Sequence, residues 1–63
     1  MNLNLNLNAN IEKPDDFYQE LIDMQRDLGD DEVQLMNAKL ILILANHIGD
    51  QKILSEAMKL AKG

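Results

Sequence analysis

Hydrophobic and polar positions along this chain first alternate, then recur at helical spacing, then fuse into an unbroken apolar run. Residues 1–10 read Met-Asn-Leu-Asn-Leu-Asn-Leu-Asn-Ala-Asn. This is period two. Extended backbone would put Leu3, Leu5 and Leu7 on one face and Asn2, Asn4, Asn6 and Asn8 on the other. Asn is a poor strand former, and a lone strand is not stable. Two readings stay open for this arm. It is a frayed terminal tail, or it is an extended arm that lays its leucines on a neighbour or pairs with the same arm of a second chain.

A connector at 11–13 leads to a change of period. Pro14 suits the first turn of a helix, and Asp15 and Asp16 suit the positive end of its dipole. Phe17, Leu21, Met24 and Leu28 then follow at intervals of four, three and four, an amphipathic stripe that Tyr18 and Ile22 widen. Gly29 is the expected stop. The spacing predicts a helix over 14–28.

The most hydrophobic stretch is Leu40-Ile41-Leu42-Ile43-Leu44-Ala45. A run of this length fits a buried strand as well as a helix. Its flanks decide for helix. Asp30, Asp31 and Glu32 precede it, where carboxylates meet unpaired N–H groups, and Gly49 follows as a left-handed cap. The predicted span is 31–48. At about 100° per residue, Val33, Met36, Leu40, Ile43, Leu44 and His47 share one broad face, flanked by Asn37, Ile41 and Ile48. Leu35, Ala38, Leu42 and Ala45 form a narrower stripe almost opposite. A surface helix needs one apolar stripe; two require cover on both sides.

Asp50 is placed to cap a third helix over 50–62, whose stripe is Ile53, Leu54, Ala57, Leu60 and Ala61. Lys59 and Lys62 complement its C-terminal dipole. The links Gly29-Asp30 and Gly49-Asp50 are short enough to force hairpins or sharp corners. The expected fold is all-α: a single helical domain at 11–63, built from three helices, with an N-terminal arm at 1–10. The first and third helices are expected to cover the broad face of the second.

Size limits the core that such helices can build. A chain of 63 residues is one domain at most, and small domains need disulfides, metals or oligomerisation. There is no Cys, so disulfides and thiolate metal sites are excluded. That composition also fits a reducing cytoplasm. Oligomerisation remains, and the expected form is a homodimeric helical bundle joined through Leu35, Ala38, Leu42 and Ala45. The net charge of −5 disfavours nucleic acid and anionic membrane as partners. No secretory leader and no run long enough to span a bilayer is evident. Residues 1–32 carry nine acids and two bases, residues 33–63 two acids and four bases. The asymmetry serves solubility, or brings acidic and basic ends together across a dimer. Asp16, Glu20, Asp23 and Asp27 line one flank of the first helix. They read as a solvated face, or as a docking surface for a basic partner.

The residues give no catalytic set. His47 is the only His and Ser55 the only Ser. They lie eight positions apart, more than two helical turns. His47 with Asp50 could begin a metal site, but two ligands are too few. The acids around Gly29 lack the alternation of a calcium loop. The scattered glycines form no phosphate loop. Met24, Met36 and Met58 read as core filler. No cofactor or metal is expected, and an autonomous enzyme is not expected in a chain too short to enclose a pocket.

Pro14-Asp15-Asp16-Phe17-Tyr18 and Leu40 through Asp50, above all Ala45-Asn46-His47-Ile48-Gly49-Asp50, resemble a family of short bacterial proteins of unknown function. The resemblance runs from about Ile11 to Ala61, and Asn37 with Lys39 fits it. Lys13 departs from the capping acid expected before Pro14. The resemblance implies stand-alone helical proteins, often encoded near flavin-dependent hydroxylases and other enzymes of aromatic-compound breakdown. It implies an accessory role, brings no catalytic residues, and marks Asn46–Asp50 as the place for a shared site.

Three functions follow as expectations. The first is a homodimeric interaction module serving a partner enzyme. The second is a ligand or metal site completed between chains by Asn37, Asn46, His47 and Asp50. The third is an oligomer whose assembly is its whole role.

Overall fold

A computed structural model describes residues 4–63 of the chain. Three helices follow one another: α1 (Pro14–Gln25), α2 (Asp30–Ile48) and α3 (Gln51–Lys62). No strand occurs among the described residues, so the fold is the all-α, three-helix one that the periodicity predicts.

The helix ends show which local signals decided. Pro14 opens α1 with no side-chain cap from Lys13, and the first turn closes on backbone alone, Phe17 N–H donating to the Lys13 carbonyl at 2.9 Å. The expected end of α1 needs correction. The helix stops at Gln25, three residues before the expected limit. Arg26 leaves helical geometry (φ −62°, ψ 137°), and Asp27 takes the left-handed conformation at φ 69°. Asp tolerates that region because its short side chain bonds locally. The Arg26 guanidinium meets the Asp23 carboxylate at 2.8 Å, and Leu28 N–H reaches back to the Gln25 carbonyl at 3.2 Å. Gly29 therefore does not stop α1. It lies at φ −75°, ψ 168°, as the N-cap of α2, and its N–H points at the Glu32 carboxylate 3.4 Å away.

The second corner is the expected one. Gly49 has φ 73° and donates its N–H to the Ala45 carbonyl at 2.8 Å, a left-handed cap. Asp50 then caps α3, accepting the Ile53 N–H at 2.9 Å.

The arm is not a regular strand over its described part. Asn8 N–H donates to Asn6 Oδ1 at 2.9 Å, so a side chain competes with extended backbone and bends it. Leu5 is half-buried and Leu7 is 73% exposed. The two leucines thus do not share one covered face. The part of the arm that holds Asn2 and Leu3 lies outside the described residues.

Packing is open. Among the described residues no side chain is fully buried. The radius of gyration is 13.7 Å, against about 10.6 Å for a compact domain of this length. The accessible surface is 5921 Å². A folded monomer of 7.2 kDa exposes about 4,100 Å². The helices touch chiefly where α3 leaves α2, through the first half of α3, with Ile53, Leu54 and Ala57 half-buried and Met58, Leu60 and Ala61 exposed. Cover of the broad α2 face by α1 and α3 is therefore partial. It reaches Val33, Met36 and Leu40, which are half-buried, and does not reach Ile43, Leu44 or His47. The short corners and short flanking helices leave most of the far half of a 19-residue helix open, with Leu40 and Ala45 half-buried there.

Candidate functional site

Two sets of residues are candidates: the polar group around His47 and the apolar surface of α2. The polar group is spread along the chain. Asn37 is half-buried in the first half of α2, while Asn46 and His47 are exposed at its end. Asn37 and His47 lie on the same helix, about 15 Å apart along the axis, so one chain does not bring them together. The Asp50 carboxylate is engaged at the start of α3, on the Ile53 N–H. His47 lies in the last turn of α2, where the helix dipole favours a positive or donor group. Among the described residues no three His, Asp or Glu side chains gather in a metal-binding group. Ser55 is half-buried and accepts from Gln51 Nε2 at 3.1 Å, a contact within α3 that does not involve His47.

Among the described residues the acidic flank of α1 makes few internal contacts. Asp23 accepts from Gln19 Nε2 at 3.0 Å and from Arg26. Glu20 lines both shallow depressions on this side. One, about 380 Å³, is bounded by Ile11, Glu12, Lys13, Asp16 and Phe17. The other, about 230 Å³, lies between α1 and α2, with Phe17, Leu21, Met24 and Leu40 on its walls. Both open to solvent. The second is the more apolar, since only Glu20 interrupts its hydrophobic walls.

The apolar surface is the larger feature. Leu35, Ala38 and Leu42 stand exposed, as the narrow stripe expected, with Leu42 at 70%; Ala45 is half-buried. Ile41 and Ile43 are each 65% exposed, and Leu44 and Ile48 are open as well. With about 100° between neighbours, Ile41, Leu42, Ile43 and Leu44 point in four directions around α2. Over Ile41–Leu44 the helix is thus apolar and exposed in every direction. The broad face expected to be covered holds Ile43 and Leu44, with Ile41 and Ile48 at its margins, and all four are exposed. The signal was present in the unbroken run Leu40–Ala45. A helix apolar all round must be enclosed all round, and two 12-residue helices cannot enclose it.

Geometry of this kind defines a small all-α protein of three helices and two sharp corners, with its hydrophobic surface turned outward. The chain belongs to the family described as protein of unknown function DUF2783, whose model matches residues 5–63, in agreement with the resemblance drawn from its motifs. No curated protein and no solved structure matches it.

Proposed function

We propose that the chain is a small helical interaction protein, a homodimer that serves as an accessory to an enzyme and does no chemistry of its own. One observation carries this reading: the most hydrophobic segment of the chain, Ile41 to Leu44, is also among its most exposed. Monomeric proteins rarely leave contiguous apolar patches of this kind open, because water around them is unfavourable. Association removes that surface from water. The surplus over a compact monomer, about 1,800 Å² by the scaling of folded proteins, exceeds the roughly 800 Å² per partner of a standard interface. Part of it comes from the non-helical residues 4–13.

The absence of Cys supports a cytoplasmic setting. Among the described residues no helix is long and apolar enough to cross a membrane. The resemblance directs the search for a partner to enzymes of aromatic-compound breakdown. The test has two arms. Sedimentation across a concentration series is expected to show a dimer, and capture from native lysate is expected to recover an enzyme whose activity falls when this chain is deleted. A monomer at high micromolar concentration, or a capture that recovers no enzyme with unchanged hydroxylase activity on deletion, overturns the reading.

A further inference from the structure

We infer that two copies of the chain associate with their α2 helices antiparallel, crossing near Leu42, so that the acidic α1 of each copy lies beside the lysine-bearing α3 of the other. The inference rests on the homodimer reading and adds the orientation.

Three observations lead to it. The widest exposed apolar zone is the second half of α2, where Leu42, at 70%, is the most exposed of the large apolar side chains. A two-fold contact is self-complementary, so the zone that meets its own copy must contain the crossing point. The small Ala38, one turn before Leu42, is exposed and lets a second helix approach closely.

The second observation is where the flanking helices sit. α1 joins α2 at its first end and reaches back to its middle, where Phe17, Leu21 and Met24 share a groove with Leu40. α3 departs from the other end, directly after Gly49. Reversing one α2 against the other about Leu42 brings the first half of one copy alongside the second half of its partner. α1 of one copy then runs beside α3 of the other. A parallel pairing would instead set α1 beside α1 and α3 beside α3.

Charge decides between the two. α1 and its corner carry Asp15, Asp16, Glu20, Asp23 and Asp27 against Arg26, while α3 carries Lys52, Lys59 and Lys62 against Glu56. Parallel pairing juxtaposes like-charged ends twice. Antiparallel pairing juxtaposes opposite ends twice, and complementary fields of this sort fix register and orientation.

The full chain has no Cys, so Gln34→Cys and Asn46→Cys each give a single spin-labelling position on the exposed surface of α2. In the antiparallel dimer the two Gln34 labels are separated by about 24 Å along the helix axes and the two Asn46 labels by about 12 Å. In a parallel dimer both pairs lie level with each other, at one interhelical spacing. A clearly longer Gln34 distance supports the inference. Equal short distances at both positions overturn it while leaving the dimer intact, and so do long distances at both, which would place the contact elsewhere. A wild-type chain that sediments as a monomer overturns the homodimer reading itself.

Discussion

The Asp50 carboxylate accepts the backbone N–H of Ile53 at 2.9 Å, immediately after Gly49 has turned the chain out of α2 at φ 73°. One side chain thus starts α3 where the preceding residue ends α2. An N-cap of this kind satisfies a donor that has no partner within the helix. Asp50→Ala should cost about 1 kcal/mol, which in a domain of this size lowers the melting temperature by about 4–8 °C. Asp50→Asn keeps an oxygen in place and should lose only a fraction of that. Thermal unfolding followed by circular dichroism checks both, and an Ala variant as stable as the parent would show that the bond does not hold the corner.

The two internal glycines serve different purposes, and substitution should separate them. A Cβ on Gly49 would meet nothing nearer than the Asn46 carbonyl oxygen at 3.7 Å, so space is not the obstacle. Its left-handed backbone is, and Gly49→Ala should destabilise by about 1–2 kcal/mol. Gly29 has ordinary extended geometry at an N-cap position. Gly29→Ser should stabilise by about 0.5–1 kcal/mol, by adding a capping oxygen and restricting the unfolded chain. Denaturant titration should give opposite signs for the pair. A destabilised Gly29→Ser would mean that Gly29 needs its freedom after all.

That contrast marks the limit of what the residues reveal. Pro14, Gly49 and Asp50 act within one turn of themselves, so their effects on the chain were legible. The role of Gly29 was not, because Asp27 two residues earlier can also turn left-handed, and local chemistry does not rank the two. The three apolar stripes predicted three helices. They did not predict how far α1 and α3 would reach along α2, which depends on corner angles that no short motif encodes. The exposed stripe of Leu35, Ala38 and Leu42 was therefore legible, while the exposure of Ile43 and Leu44 was not. For the polar set, helical spacing alone separates Asn37 from His47, and the capping role legible at Asp50 occupies its carboxylate.

Deleting residues 1–10 should leave the helical signal per residue of 14–62 intact, since all three helices begin after that point. Leu5 is half-buried, so the deletion should also lower the melting temperature by a few degrees. An unchanged melting temperature would favour the frayed-tail reading of the arm, and a loss of helicity would show that the arm supports the helices directly.

The most decisive substitution is Leu42→Glu. In an isolated chain this side chain stands 70% exposed, and a carboxylate there would be solvated, neutral for stability and helpful for solubility. In a dimer packed through α2 the same carboxylate is taken out of water without a partner, which costs several kcal/mol. Two-fold symmetry doubles the effect, because both copies carry the substitution. Leu42→Glu should therefore convert a dimer into a monomer of lower stability, whereas Gln34→Glu, eight residues away on the same helix, should change little. The two variants add the same charge, so a difference between them cannot come from net charge alone. Analytical ultracentrifugation reads the outcome. A Leu42→Glu chain that stays dimeric would move the contact to another face of α2, the side of Ile41 and Ile48 or that of Ile43, and the same substitution at Ile41 or Ile43 would then locate it.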